Sequence, residues 1–147
     1  MNREDIITSI VVSAHALGRI AAQDAANDAP AAQWRALTLL ERSSGRRVGE
    51  LARASRTTQP GMTRLLGELE RAGLVTRSPD PSDSRATVVD ITGTGRSALA
   101  EWREAFRATL APRFSDLDAA DWNALGRAAE ILAAHSIEDT AETGATE

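Results

Sequence analysis

The sequence predicts a mainly helical protein with a small β-hairpin, arranged as a winged helix-turn-helix with long N- and C-terminal helices. Three observations predict this class. Apolar residues recur at helical spacing over most of the 147-residue chain, with Pro and Gly between the periodic segments. The stretch 74–91 changes to short runs rich in Val, Thr and Ile around a cluster of turn-forming residues. A short helix and a longer amphipathic helix precede it, which is the order of a winged helix-turn-helix.

The boundaries of the elements follow from the apolar spacing and from capping and turn residues. Thr58 and Thr92 are predicted N-caps, and Gly73 is predicted to end a helix. Strands 74–77 and 86–91 are predicted to flank the eight-residue tip 78–85. Helices are predicted over residues 3–26, 31–42, 49–55, 59–72, 93–114 and 118–135.

The length favours a single domain with three functional parts. Residues 31–92 are the predicted DNA-binding lobe, and residues 1–30 with 93–136 are the predicted dimerisation helices. The tail 137–147 is small, polar and acidic, and is therefore predicted to be disordered. No run of 18 or more apolar residues occurs, and the early acidic residues do not suit a secretory signal. A cytoplasmic protein with no membrane partner is therefore expected.

Charge is distributed unevenly along the chain. The net charge is −4, yet residues 42–85 hold nine arginines against five acidic residues, a local balance of +4. The remaining residues hold eight arginines against sixteen acidic residues, a balance of −8. A basic lobe on an acidic body favours nucleic-acid binding, although charge alone leaves a set of solvated helix faces equally open.

The stretch TTQPGMTRLLGELERAGLV, residues 57–75, predicts the helix that enters the major groove. Apolar residues recur from Met62 at i, i+3, i+4 and i+7, whereas the first turn is crowded with small and polar groups. In a helix-turn-helix the first residues of the second helix touch base edges. A glutamine suits adenine, an arginine suits guanine or a phosphate, and threonine suits phosphate or a thymine methyl. The predicted major-groove residues are Thr58, Gln59, Gly61, Thr63 and Arg64.

The hairpin predicts a second contact with double-stranded DNA. Arg85 stands at the base of the predicted tip with Arg77 across from it, and an arginine at a wing tip can insert into the narrow minor groove. Asp83 would repel phosphate, so it is expected to hold the Arg85 side chain in place. The alternative is an exposed turn with a local ion pair, worth under about 1 kcal/mol.

Residues 50–96 resemble the winged-helix core of the MarR family of bacterial transcriptional regulators. The matching pieces are ELA at 50–52, TQPGMTRLL, LERAGLVTR, the wing DPSDSRA and the segment ITGTGR. The wing is similar to the family's Asp-Pro-x-Asp-Arg-Arg-Ala, and ITGTGR to its Leu-Thr-x-x-Gly-Arg. Three positions depart from the family: Ser84 replaces a second wing arginine, and Ser55 and Arg56 replace an apolar residue and a glycine in the turn.

The resemblance implies a homodimer held by its first, fifth and sixth helices, with two winged helices over a palindromic operator. It implies the five recognition-helix residues and Arg85 as DNA contacts, and repression as the default action. The residues themselves also favour a dimer, because the apolar stripes of the terminal helices exceed what residues 31–92 could cover. Two-fold symmetry would place the two reading heads about 34 Å apart. Packing of these helices within one chain is the alternative.

The resemblance further implies a small aromatic or acidic effector, bound between the dimerisation helices and the DNA-binding lobe. An apolar cleft with an arginine for a carboxylate would suit such a ligand. The three aromatic candidates also fit ordinary core positions, which is the favoured alternative for them. No other cofactor is expected. The candidate lining residues are His15, Arg19, Trp34, Trp102, Arg103 and Phe106.

An enzyme and a protein-interaction module are the rival classes. The chain has no cysteine, its two histidines (His15 and His135) are far apart, and no nucleophile, phosphate-loop or metal-ligand pattern occurs. No catalytic residue and no metal site are therefore expected. A winged helix used for protein interaction predicts no salt-dependent sequence preference on DNA, and no effect of Gln59→Ala or Arg64→Ala.

Overall fold

The computed structural model describes residues 1–24 and 31–136. Its winged helix-turn-helix confirms the predicted fold class. The predicted disordered tail 137–147, and the last two residues of the predicted first helix, lie outside the described residues. In chain order the elements are α1 (Arg3–Asp24), α2 (Ala31–Arg42), β1 (Arg46–Arg47), α3 (Val48–Ala54), α4 (Gln59–Arg71), β2 (Val75–Asp80), β3 (Asp83–Ile91), α5 (Gly93–Leu110), a 3-10 turn (Ala111–Phe114) and α6 (Ala119–His135).

The sheet is antiparallel, with strand order β1-β3-β2. Strand β1, which pairs with Val88 and Val89 of β3, was not predicted, because two residues carry no periodic signal. The predicted eight-residue tip is wrong, since the β2–β3 ladder continues until Asp80 pairs with Asp83. Pro79 does not end the pairing because β2 is an edge strand, where a missing N–H is tolerated.

The core lies between α2, the helix-turn-helix pair α3 and α4, the sheet and α5. The predicted apolar face of α4 supplies three fully buried side chains to it, while Leu65 on the same face is half-buried. Because α4 is held by this face, its opposite face is turned to solvent. The largest fully buried side chains are Leu37, Leu40, Leu51, Met62, Leu66, Leu69, Leu99, Val75 and Val89.

The start of α5 is fastened to the base of the wing. The Thr92 hydroxyl donates to the Gly73 carbonyl at 2.6 Å and accepts from the Gly95 backbone N–H at 3.0 Å, so its predicted role as a cap is confirmed. The Thr92 backbone N–H donates to the Leu74 carbonyl at 3.0 Å. Gly73, predicted to end the preceding helix, has φ +75°.

The C-terminal helices differ from the prediction only at one junction. Helix α5 ends at Leu110 rather than 114, since Pro112 disfavours helical geometry at the residue before it, and a 3-10 turn follows. Helix α6 begins with a capping box in which Asp118 and Asp121 each accept from the other's backbone N–H.

The chain divides into two compact units, Met1–Leu110 and Ala111–Glu147. In the first unit α1 packs against α5 and still exposes large apolar side chains. Residues Arg3–Gln23 are long and apolar enough to cross a membrane by length and composition, so the expectation of no such segment fails on these two criteria. Core helices of soluble proteins and signal sequences meet the same two criteria, and the absence of a membrane partner stays a prediction. The exposed large apolar side chains of α1 are Ile6, Ile7, Val11 and Val12.

Candidate nucleic-acid interface

The turn between α3 and α4 is tight and unusual in one residue. The Thr57 backbone N–H donates to the Ala52 carbonyl at 3.0 Å, which closes the turn. Arg56 has φ 49°, in the left-handed region that favours glycine. Glycine, which the resemblance places in this turn, would adopt this conformation without steric cost, whereas Arg56 adopts it with a side chain. The Ser55 hydroxyl is buried and has no hydrogen-bond partner among the described residues.

The first turn of α4 is organised by Thr58. Its side-chain oxygen accepts from the Gly61 backbone N–H at 3.1 Å, which confirms the predicted N-cap. A Cβ at Gly61 would lie 3.0 Å from the Thr58 Oγ1 and 3.2 Å from the Thr57 Oγ1. Glycine at this position therefore leaves room for the capping hydroxyl.

Gln59, Thr63 and Arg64 are exposed on the outer face of α4. The Thr63 hydroxyl donates to the Gln59 carbonyl at 2.9 Å, so this proton is not free for a phosphate. Of the two predicted contacts for Thr63, the one through its methyl group therefore fits better. Within the described residues, the side chains of Gln59 and Arg64 make no hydrogen bond or ion pair.

The wing differs from the prediction in how its charged residues interact. Asp83 Oδ1 accepts from the Arg85 backbone N–H at 3.0 Å, as a short carboxylate two residues upstream often does. The expectation that Asp83 holds the Arg85 side chain is therefore wrong, and that side chain is exposed with no ion pair among the described residues. Arg77 pairs in register with Val89 and does not lie across from Arg85, because the tip is Pro81 and Ser82 alone.

Arg77 is bound to α4. Its guanidinium donates to Glu70 Oε1 at 2.9 Å, and its backbone N–H donates to Glu70 Oε2 at 3.1 Å. The hydrogen bond from Arg77 holds the pKa of Glu70 below its usual range and raises the pKa of Arg77. The predicted wing residue Arg77 is thus half-buried and attached to the recognition helix.

A cleft of about 510 Å³ lies between α3, the start of α4 and the wing. It brings together Gln59, Thr63 and Arg85, with Asp83 beside them. Sequence reasoning missed the contribution of α3, for which no DNA-contacting residue was predicted. The high local count of arginines in residues 42–85 was the signal that could have found it, because that count includes the arginines of this cleft. The further charged residues of the cleft are Arg47, Glu50, Arg53 and Arg77.

A second, largely apolar cavity of about 550 Å³ lies between α1, α2, the end of α3 and α5. Trp34 stacks on Trp102, with ring centroids 5.2 Å apart and rings 16° from parallel. The ring centroids of Trp102 and Phe106 are 4.1 Å apart. Trp34 is 8% exposed, so it is both a core residue and part of the cavity wall. Five of the six predicted lining residues border the cavity: His15, Arg19, Trp34, Trp102 and Phe106.

The sixth predicted lining residue, Arg103, lies outside the cavity lining. Its guanidinium donates to Glu41 Oε2 at 2.7 Å, which ties α5 to α2. This hydrogen bond holds the pKa of Glu41 below its usual value of 4.5. The prediction for Arg103 is therefore wrong, because helical spacing alone cannot show that the side chain pairs with another helix.

The arrangement is that of a winged helix-turn-helix DNA-binding protein, in which the second helix of the motif and the hairpin face the duplex together. The sequence profile described as MarR family matches residues 28–86. The uncharacterised HTH-type transcriptional regulator Mb0904 of Mycobacterium bovis is 32% identical over 102 residues, 69% of this chain and 71% of that protein. The chain belongs to the MarR family of DNA-binding transcriptional regulators.

Two further relatives are similar over different lengths. The transcriptional activatory protein BadR of Rhodopseudomonas palustris is 39% identical over 67 residues, 44% of this chain and 38% of that protein. The structure of the transcriptional repressor CouR bound to a 23-mer DNA duplex is 25% identical, with a TM-score of 0.64. That match covers 85% of this chain and 89% of that chain.

Proposed function

We propose that this protein is a homodimer that binds a palindromic operator, represses transcription there, and is released by a small aromatic acid. The observation that carries the proposal is the grouping of Gln59, Thr63 and Arg85 around one basic cleft at the exposed start of α4. A protein that recognises a DNA sequence needs base contacts from the start of such a helix. Contacts from the wing then fix the position of the protein along the duplex. Action on chromosomal DNA implies the cytoplasm as its location.

In this proposal the helix and the wing have different tasks. Gln59 pairs with adenine through its amide, and Arg64 donates to guanine O6 and N7 or to a phosphate. The Thr63 methyl group contacts a thymine methyl. The Thr58 hydroxyl, whose oxygen accepts from Gly61, donates its proton to a phosphate. Arg85 enters the minor groove, where the negative potential is strongest.

Fluorescence anisotropy tests DNA reading directly. The purified protein is titrated against the DNA upstream of its own gene and against a scrambled duplex, each at two salt concentrations. We expect tighter binding to the upstream fragment, weakening steeply with salt because arginines displace counterions from phosphates. Equal, salt-insensitive binding to both duplexes would refute the proposal and favour the protein-interaction module.

The exposed apolar side chains support the dimer. On α1, Ile7 is 56% and Val12 is 62% exposed. The two lie about 140° apart around the helix, so apolar side chains are exposed on more than one side of α1. On α6, Trp122, Leu125 and Ile131 are each between 44% and 51% exposed. Apolar surface of this kind on a monomer marks an interaction site, and two-fold pairing of identical subunits is the commonest way to cover it.

Light scattering during size-exclusion chromatography measures the oligomeric state. We expect a dimer for the native chain and a monomer for Trp122→Glu, because a charge would be buried at the interface. The matched control is Asn123→Glu, which adds the same charge at the neighbouring exposed position and should stay dimeric. A native monomer would contradict the dimer, and co-sedimentation with phospholipid vesicles would assign the α1 surface to a membrane instead.

The apolar cavity supports the effector. The Trp34 Nε1 and Ser55 Oγ atoms are buried without a partner among the described residues, and both residues line the cavity. Buried polar atoms are normally hydrogen-bonded, so a polar ligand group would complete them. Arg19 and Arg35 also line the cavity and offer positive charge for a carboxylate, while Trp102 offers an aromatic face.

Benzoate is the probe for this site. We expect saturable quenching of tryptophan fluorescence, because the ring would bind beside the Trp34–Trp102 stack, and a fall in operator affinity at the same concentrations. Arg19→Gln should weaken benzoate binding several-fold, whereas Arg103→Gln, outside the cavity, should not. Quenching that never saturates, or that is equally lost in both variants, would contradict an acid site here.

Repression is a separate part of the proposal from DNA reading. A dimer seated on a promoter excludes polymerase without a dedicated activation surface, and CouR is described as a repressor whereas BadR is described as activatory. Transcription in vitro from a promoter that carries the bound sequence distinguishes the two. We expect less transcript as protein is added, and an increase would overturn the repressor assignment.

A further inference from the structure

The wing is attached to α4 and to the residue directly before α3 by ion pairs that the DNA contacts above do not use. Arg47, directly before α3, donates through Nε to Asp80 Oδ2 at 2.7 Å, and a second guanidinium nitrogen lies 2.6 Å from the same oxygen. Arg77 of β2 donates to Glu70 of α4 at 2.9 Å. Strand β2 of the wing is thus linked to Arg47, the last residue of β1 directly before α3, and to Glu70 of α4.

We propose that the pairs Arg47–Asp80 and Glu70–Arg77 fix the wing relative to the two helices, and that Asp80 and Glu70 are positioning residues for DNA binding. The inference rests on the DNA-reading function proposed above. Neither carboxylate contacts DNA in this assignment. Each acts through the strand that it holds.

The surroundings of the two pairs distinguish them from ordinary surface ion pairs. Asp80 and Arg47 are 11% and 44% exposed and Arg77 and Glu70 are 30% and 39% exposed, so both pairs are partly shielded, whereas the Arg107–Glu104 pair on α5 is 71% and 68% exposed. Shielding from water preserves the attraction that solvent and salt otherwise remove. Since β3 lies between β1 and β2, Arg47 also joins the two edge strands of the sheet.

Both carboxylates are ionised at neutral pH. Hydrogen bonds from the Ser82 backbone and hydroxyl, and then from Arg47, lower the pKa of Asp80. The hydrogen bond from the Arg77 side chain lowers the pKa of Glu70. The two attachments therefore persist wherever the protein acts near pH 7.

The two oxygens of Asp80 have separate partners, which allows a selective substitution. Oδ1 accepts from the Ser82 backbone N–H at 2.9 Å and from its hydroxyl at 2.8 Å, and Oδ2 accepts from Arg47. Asp80→Asn keeps an oxygen for Ser82, so the tip turn is retained while the ion pair is removed. Glu70→Gln likewise keeps an oxygen for the backbone N–H of Arg77.

The two possible roles of the carboxylates, repulsion of phosphate and positioning of the wing, predict opposite results for these substitutions. Each removes one negative charge near the surface that approaches DNA. If the carboxylates only repelled phosphate, the variants would bind more tightly and the dependence on salt would steepen. If they position the wing, the variants bind more weakly and the salt dependence becomes shallower, because a displaced wing neutralises fewer phosphates.

The test uses a duplex that the native protein itself selects from a random-sequence pool, with anisotropy measured across a salt series. We expect Asp80→Asn or Glu70→Gln alone to weaken binding by about 2- to 5-fold, and both together by about 10-fold. The slope of log affinity against log salt should fall by about 0.9 for each phosphate that the wing no longer neutralises. A globally less stable variant would lower the active fraction without changing that slope.

Glu68→Gln is the matched control. It removes the same charge from α4 at an exposed residue whose hydrogen bond, from Gln33, is 3.4 Å long. This control should bind as tightly as the native protein or more tightly. If Asp80→Asn and Glu70→Gln behave like the control, the positioning inference is overturned while DNA reading stands. If the native protein enriches no sequence, the proposed function itself fails.

Discussion

Gly95→Ala should destabilise the protein even though alanine is the better helix former. Gly95 is a buried residue in the first turn of α5, where that helix crosses the base of the wing. A Cβ at this position would lie 2.8 Å from Ile91 Cγ1 and 3.0 Å from the Leu74 carbonyl carbon, and closer still to the Leu74 carbonyl oxygen. Carbon atoms in packed interiors prefer separations of about 3.5–4.0 Å.

The magnitude follows from two opposed effects. The Leu74 carbonyl is backbone and accepts from the Thr92 N–H, so no rotamer change relieves the overlap and α5 must move. Overpacking of this kind costs about 3 kcal/mol, and the helix propensity of alanine returns about 1 kcal/mol. The free energy of unfolding should therefore fall by about 2 kcal/mol, which lowers the melting temperature by about 6 °C.

Urea unfolding followed by circular dichroism at one protein concentration measures this difference. Gly93→Ala is the control, because it lies in the same first turn and a Cβ there meets nothing within 4 Å. We expect that variant to be as stable as the native protein or more stable. A Gly95→Ala protein that equals the control would refute the close packing of α5 on Leu74.

Three further predictions concern the cap, the DNA contacts and acid stability. Thr58→Ala should lower the free energy of unfolding by about 1 kcal/mol through loss of the N-cap, and urea unfolding curves that overlay those of the native protein would contradict this. Arg64→Ala should cost about 1–3 kcal/mol of operator affinity and reduce sequence preference. Arg85→Ala should weaken binding to all sequences alike and make affinity less dependent on salt. Anisotropy that showed no change in sequence preference for the first variant and none in salt dependence for the second would contradict both. Because the folded-state pKa of Glu41 lies below 4.5, its pairing with Arg103 stabilises the protein above that pH and is lost as the pH falls through the lowered pKa. Glu41→Gln should therefore show a shallower loss of stability in acid, and parallel stability–pH curves for the two proteins would argue against the pair.

Local signals in the sequence predicted the fold well. Thr58, Gly73 and Thr92 were identifiable because a cap or a left-handed residue depends on neighbours within a few positions. The apolar face of α4 followed from its spacing in the same way. Winged-helix topology then followed from the order of the elements, which has few alternatives for a short helix, a long helix and a hairpin.

Side-chain pairing between distant elements could not be predicted from sequence. The partner of Arg77, a residue of β2, lies on α4, and the partner of Arg103 lies on α2. Arg47 belongs to a strand too short to show a pattern. Asp83 was assigned to the wrong atom of Arg85, because sequence distance cannot separate a backbone N–H from a guanidinium. The ring stack of Trp34 and Trp102 depends on how α2 and α5 pack, which no residue spacing encodes.

Helix α5 runs from the base of the wing to the wall of the apolar cavity. Its first turn is fixed to the wing's base through Thr92 and Gly95, and Trp102 lies seven residues further on, about 10 Å along the axis. If the effector proposed above spread the Trp34–Trp102 stack, α5 would shift, and the hydrogen bonds of Thr92 would carry that shift to Gly73 and Leu74 at the base of the wing. The cavity and the DNA-contacting hairpin would then be coupled through one helix, without the ligand touching any DNA-contacting residue.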